Sequence, residues 1–295
     1  SSSTISATGL NHMYVANHFK RNIHLFFIIN TIIMNTKHTI QSINAFISDF
    51  IDVEAFPMDG AVNGINVSTT REIKKIVGAV SPSLELFQRA KDANADVIVT
   101  HHALERKPET LSVPLQGPQK GRVDFLLKNN IGMLSYHLPL DYHEEIGNNA
   151  LMLKKFAVDK VQRVGTFIGL SGALFVGSFD EARKRNDVLS TLELFLDRKL
   201  DTELFGSEQI KTIAVVTGAG CNRELLDMVV KENIDMYVTG EIKEELPYYA
   251  KETQLNFVCG GHYATEVCGV KALLNLANKA FPEIATEFID LPVHY

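Results

Sequence analysis

Paired thiols are the first absence. The chain has 3 cysteines in 295 residues, Cys221, Cys259 and Cys268, and no two of them are spaced as CxxC. An odd number without framework spacing excludes a disulfide scaffold and a thiolate metal site, and it suits a reducing compartment. A cytoplasmic setting is therefore expected, with the cysteines serving as small buried apolar residues. A surplus of positive charge is missing as well. Against 29 Lys and Arg stand 35 Asp and Glu, a net charge of -6 at pH 7. That balance argues against nucleic acid or an anionic membrane as partner, since either needs cations to neutralise phosphates. No apolar run approaches the ~20 residues of a spanning helix. The nearest, Ile23 to Ile33 behind Lys20 and Arg21, is interrupted by His24 and Asn30, and no small-residue cleavage site follows it. Residues 1–33 are expected to be leader or upstream sequence outside the fold, with Met34 the better start. The nucleotide loops are absent too. Thr217-Gly218-Ala219-Gly220 comes closest to one, but without GxGxxG spacing or a Walker lysine it reads as a tight turn.

What is present is an ordinary globular mixture, 45% hydrophobic and 22% charged, long enough for one large core or two modest ones. Thr39 can cap a helix whose Ile43, Phe46, Ile47, Phe50 and Ile51 form one apolar stripe, ended by a turn around Pro57, Asp59, Gly60, Asn63 and Gly64. Ile76 to Val80 reads as a strand, Ser81-Pro82 as a cap, Leu84 to Ala93 as a helix and Val97 to Val99 as a second strand, a βαβ unit. Three prolines and two glycines make 103–122 a loop, with Arg106, Lys107, Lys120 and Arg122 a solvated or anion-binding rim. A helix over 123–128 leads to a strand over 131–136. After an α+β stretch with widely spaced glycines, Ile210 to Val216 and Ile234 to Thr239 repeat the pattern of Ile73 to Ala79 and Ala95 to Thr100. A final strand spans 286–291. The fold class expected is α/β, two pseudo-repeated modules with mostly parallel sheets facing a shared site. Their bounds are 34–157 and 207–295, joined by a linking α+β segment over 158–206.

The chemistry gathers at strand ends, where open α/β sheets bind their ligands. Thr100 is followed by His101-His102, and the strand over 131–136 by His137-Leu138-Pro139-Leu140-Asp141. The strand Leu255 to Cys259 is followed by Gly260-Gly261-His262-Tyr263-Ala264-Thr265-Glu266. Adjacent histidines in a strand point to opposite faces, but once the strand breaks both can turn to one site. His262 and Glu266, four apart, share a helix face if the helix begins there. Imidazole and carboxylate donors without thiolates suit zinc, iron, manganese or nickel, and a carboxylate can bridge two such ions. The constellation therefore reads as a dinuclear centre.

With Asn63-Gly64, Gly147-Asn148-Asn149 and Thr239-Gly240-Glu241 in the same order, the chain from about Met34 onward resembles the Nif-three-like dinuclear metal-centre proteins. It is most similar to the short bacterial members, and some of the family carry the name GTP cyclohydrolase type 2 homolog. The resemblance implies that His101, His102, Asp141, His262 and Glu266 are the metal ligands. It assigns His102 and Asp141 to one ion, His101 and His262 to the other, and Glu266 to both. It also implies a toroidal homohexamer. His137 and Glu241 stand as catalytic candidates, either moving protons or bracing the ligands by hydrogen bonds. The chain departs from the family at Tyr263, where relatives often carry a second histidine, and at Leu104-Glu105-Arg106-Lys107, where they are rich in aromatics. Both differences bear on which substrate enters. The function expected is a metal-dependent hydrolase that acts through a metal-activated water on a small nucleotide or phosphorylated substrate. The other class is a metal-handling or protein-interaction ring with structural ions.

Overall fold

The structure, a computed structural model, describes residues 37–104 and 115–293. The leader assigned to residues 1–33 and the pair Arg106 and Lys107 lie outside the described residues. From Thr39 onward the chain forms one unit. As the stripe of isoleucines requires, α1 covers Ile40–Phe50, and Thr39 caps it by accepting from the Ser42 N–H.

Two sheets carry the strands. The first contains β1 (Gly64–Val67), β2 (Lys75–Ala79), β3 (Val97–Thr100), β4 (Gly132–Ser135) and β11 (Ala285–Phe288), in the order β1-β4-β3-β2-β11. All neighbours in it are parallel except β1, which runs against β4. The second contains β5 (Lys160–Phe167), β6 (Leu170–Lys184), β7 (Asp201–Leu204), β8 (Gln209–Val216), β9 (Met236–Thr239) and β10 (Asn256–Cys259), in the order β5-β6-β8-β9-β10-β7. Its central β8, β9 and β10 are parallel and its flanking pairs antiparallel. The class is thus mixed α/β with two sheets, as expected. Residues 158–206 supply β5, β6, a helix and β7, and these strands flank the second sheet on both sides.

The repeat is literal. The runs β1-β4-β3-β2 and β7-β10-β9-β8 share strand order, and in each the outermost strand is antiparallel to its neighbour. Each module also clamps its first strand with an aspartate from the turn before its second. Asp96 accepts from the Lys74 and Lys75 N–H groups at 2.9 and 3.0 Å. Asp235 accepts from Lys211 and Thr212 at 2.8 and 2.9 Å.

Three local expectations need correction. The strand β1, which starts at Gly64 where the expected turn ends, is not among the expected strands, because the edge of β4 supplies the pairing that its short Gly-Ile-Asn-Val sequence does not advertise. Ser83, not Ser81, caps the following helix α2 (Leu84–Asp92), its hydroxyl accepting from Leu86 N–H. The loop expected to run to Arg122 ends early. Helix α3 covers Gly117–Asn129, with Pro118 in its first turn, where a missing N–H costs nothing. Lys120 therefore sits on a helix, paired with Asp124 one turn on.

Two short helices, α4 (Leu138–Tyr142) and α5 (Asn148–Lys155), follow β4. Helix α6 (Arg185–Leu196) precedes β7, and α7 (Arg223–Lys231) and α8 (Leu246–Thr253) are the crossovers of the second module. The last helix, α9 (His262–Ala280), sets the architecture. It begins where β10 of the second sheet ends, but its Val270, Leu273, Leu274 and Ala277 are buried with Ile40, Ile43 and Ile47 of α1 and with Ile76, Val97 and Leu134 of the first sheet. The chain then returns to the first sheet as β11. Burying the apolar side of α9 on one module brings its first turn, which springs from the other, to the end of β3.

Candidate metal centre

Strand β3 is buried along its length and continues into His101 and His102, whose N–H groups still bond to Ala79 and Val80 oxygens of the neighbouring strand. Thr100 then bends the chain by donating its hydroxyl to the His102 carbonyl at 2.6 Å. Both rings turn to one place. His101 Nε2 lies 3.4 Å from Glu266 Oε1, and His102 Nε2 lies 3.1 Å from Glu266 Oε2. From α9, His262 Nε2 lies 3.1 Å from the same Glu266 Oε1, as their spacing on one helix face requires. Asp141 of α4 brings Oδ2 to 3.5 Å from His101 Nε2.

Each imidazole is held from behind. His101 Nδ1 donates to the Tyr136 carbonyl at 3.0 Å, His262 Nδ1 to Glu241 Oε1 at 2.6 Å, and His137 Nδ1 to Asp59 Oδ1 at 3.0 Å. His102 Nδ1 lies 2.8 Å from Ser81 Oγ. A ring fixed through Nδ1 presents Nε2 as its lone pair, which is how histidines are prepared for a cation. Asp141 is braced too. Asn148 Nδ2 and Thr217 Oγ1 donate to Asp141 Oδ1 at 2.9 and 3.2 Å.

Among the described residues, three sets of donor atoms lie within 4.8 Å of one another: His101, Asp141 and Glu266; His102, His262 and Glu266; and His101, His102 and His137. The first two share Glu266. Glu266 Oε1 faces both His101 and His262, and Oε2 faces His102. His101 is fully buried against α4, whereas His102 is half-buried beside the start of α9.

Two atoms at the heart of the cluster are left over. His101 Nε2 and Glu266 Oε2 are buried and make no well-aligned hydrogen bond, their nearest partners being only each other's groups and His102 at 3.1–3.4 Å, and a poorly satisfied buried polar atom is costly unless something else meets it. The charges say the same. Burial opposes a proton on His101, yet Asp141 and Glu266 raise it to about 9. Burial likewise opposes protonated His262, but Glu266 and then Glu241 lift it to about 9. Glu266 is held well below the usual carboxylate range by the three histidines, against its burial. The cluster holds positive charge with protons where divalent cations fit. Its donors, buried nitrogens and oxygens with no thiolate, suit such ions.

The Thr217 to Gly220 turn has a part the sequence did not suggest. Gly218 has φ of 63°, and a Cβ there would fall 2.1 Å from Glu266 Oε1, so only glycine lets the turn close over that carboxylate. Sequence reasoning also missed Asp59, 3% exposed, which accepts from Ala61 N, Leu138 N and Asn63 Nδ2 besides His137. Its only signal was the cluster of polar turn residues around it. Burial would raise its carboxyl, but His137 and Asn63 hold it near 2. Other residues fall outside the cluster. His143 stacks on Phe50 at 5.0 Å and accepts from Glu145 and Ile146 N–H groups. Tyr263 packs into the first core, and its hydroxyl donates to Asp290 at 2.5 Å. Cys221 and Cys259 are buried and Cys268 half-buried, all free.

Residues 38–293 match the sequence profile of Duf34/NIF3, NGG1p interacting factor 3. A protein of Archaeoglobus fulgidus named GTP cyclohydrolase 1 type 2 homolog is 32% identical over 252 residues, 84% of this chain and 96% of its own. One of the same name from Haemophilus influenzae is 36% identical over 216 residues, 73% and 84% of the two chains. A solved structure described as protein ybgI, of unknown function, superposes with a TM-score of 0.78 at 28% identity, covering 87% of this chain and 99% of its own. Reduced HcgD from Methanocaldococcus jannaschii shares the fold with a TM-score of 0.75 at 22% identity, over 87% and 99%.

Proposed function

The chain belongs to the Duf34/NIF3 family, and on that footing we propose that it is a dinuclear metal-dependent hydrolase acting on a small nucleotide or phosphorylated substrate. The observation that carries this is the pair of poorly satisfied buried atoms, His101 Nε2 and Glu266 Oε2, at the point where three imidazoles converge. On this reading His101, His102, Asp141, His262 and Glu266 would hold the ions, with Glu266, common to two of the donor sets, shared between them. Zinc, iron, manganese and nickel all suit such donors. When bound, a cation pair supplies Lewis acidity and an activated water.

The chain's own groups do the rest. Glu241 keeps a proton on His262 Nδ1, so that Nε2 is the nitrogen that would exchange its proton for a cation, and His137 takes part from the opposite side with its Nδ1 proton held by Asp59. The half-exposed His102, His137 and His262 border the side open to a substrate, while His101, Asp141 and Glu266 line the floor. GTP is the first substrate to test, because the relatives of Archaeoglobus and Haemophilus carry the cyclohydrolase name. A toroidal homohexamer in the cytoplasm is proposed on family membership and, for the compartment, on three free thiols.

The burial of that floor favours a second reading, a metal-handling or interaction ring whose ions are structural. One experiment separates the two. Protein loaded with each metal is screened against nucleotides and phosphoesters, in parallel with Asp141→Ala. Hydrolysis that disappears in a folded, still oligomeric variant supports the enzyme. No turnover with any metal, together with disassembly of the variant, supports the structural role and overturns the first.

A further inference from the structure

The fourth imidazole has no place in the ligand set carried over from the family, yet it is built as the other three are. We propose that His137 is itself a metal ligand of the centre, donating through Nε2 beside His101 and His102; this rests on the dinuclear reading above.

Proximity is the first observation. The donor atoms of His101, His102 and His137 lie within 4.8 Å of one another, and the His137 ring centroid is 5.1 Å from that of His101 and 5.9 Å from that of His102. The second is the way the ring is held. Its Nδ1 meets a buried carboxylate, as that of His262 meets Glu241, and carboxylate partners on Nδ1 orient a ligating histidine and raise its donor strength. Asp59 is not a casual partner. Ala61 N–H, Leu138 N–H and the Asn63 amide all donate to it, and Asn63 Oδ1 accepts from the His137 N–H at 2.7 Å. The turn between α1 and β1 is thus organised to fix one ring.

Internal symmetry is the third observation. Both modules place a His-x-x-x-carboxylate at the start of the helix after their third strand: His137 and Asp141 beyond β4, His262 and Glu266 beyond β10. The histidine side chains are equally exposed, at 31%. Three of these four residues enter the carboxylate-containing donor sets. The fourth, His137, enters the set made of imidazoles alone.

Metal-stripped wild type, His137→Ala, Asp59→Asn and Glu266→Ala are titrated with Co2+, followed by calorimetry and by visible absorption, which reports the number of nitrogen donors. His137→Ala is expected to bind one of the two ions about 10- to 100-fold more weakly and to shift the absorption band. Asp59→Asn moves both readouts the same way by about tenfold. A His137→Ala protein with wild-type affinities and an unchanged spectrum overturns the proposal and leaves the dinuclear centre standing. Wild type that takes up no cobalt, or Glu266→Ala that takes it up as well as wild type does, overturns the dinuclear reading itself. Should His137→Ala fail to fold, His137→Gln, whose amide can still donate to Asp59, is titrated in its place with the same outcomes.

Discussion

The two modules share strand order and an aspartate clamp, yet the ends of their second strands differ in kind. Beyond Thr100 the first carries His101 and His102; beyond Thr239 the second carries Gly240 and Glu241. Crowding explains the difference. A Cβ on Gly240 would sit 2.7 Å from the Gly218 carbonyl oxygen and from His262 Cα, and 2.8 Å from Thr265 Oγ1. The second module has closed around the first turn of α9 and has no room for an imidazole there. Its contribution instead comes from that turn, as His262 and the shared Glu266, with Glu241 displaced outward to hold His262. The two modules have thus divided the work, the first placing two imidazoles at a strand end and the second placing His262 and the central Glu266 carboxylate at a helix start.

Glu266 is where this division is most exposed to test. On the scheme above Glu266→Ala removes the one group common to both ions, so bound metal falls from about two per chain to below one. Each ion at a hundredfold excess over its Kd stabilises by about 2.7 kcal/mol, or roughly 5–10 °C in Tm for a chain of this size. Elemental analysis and melting curves with and without added metal check both effects. Two ions retained in the variant would mean that the modules bind independently and that the bridge between them is not real.

A smaller effect, of opposite sign in the two loading states, is expected from pH. In the metal-free protein His101 and His262 hold their second proton, as imidazolium, up to about 9, above the ordinary 6.5. A raised pKa contributes stability that is full below 6.5 and is lost as pH rises through about 9. Metal-free protein should therefore lose Tm over that interval. Bound cations must first displace those protons, so their stabilising effect grows over the same range. Melts in chelator and in excess cobalt should diverge with rising pH. Parallel curves would mean that protons and cations do not compete for these nitrogens.

How far the sequence reveals all this depends on which physics was local. The helix stripe of Ile43 and Ile47, the buried runs of β3 and β9 and the strand-end histidines are periodic or terminal features, visible without tertiary knowledge. The bridging spacing of His262 and Glu266 is a property of one helix, and it too is legible. What escapes is whatever depends on a partner far along the chain. Asp59 looks like a turn residue until His137, 78 positions later, fixes its role. Gly218 looks like a turn glycine until Glu266 occupies the space its side chain would need. The relative depth of His101 and His102 belongs to the same class, because it is set by α4 and α9, not by their adjacency.

The least disruptive comparison tests the scaffold without touching the centre. Asp96 and Asp235 do equivalent jobs, each accepting from two consecutive strand N–H groups, and each gains one further donor: Arg71 Nη1 at 3.2 Å for Asp96 and Thr212 Oγ1 at 3.1 Å for Asp235. Replacing either by alanine leaves two backbone donors without an acceptor at the mouth of a parallel strand. The cost expected is about 1–2 kcal/mol in each case, read from denaturant unfolding of metal-stripped protein. Because both clamps act at the ends of the strands opposite the histidines, cobalt uptake should be unchanged. If Asp235→Ala alone weakens uptake, the second module is less rigid than the first, and the position of α9 depends on its clamp as much as on the core it buries.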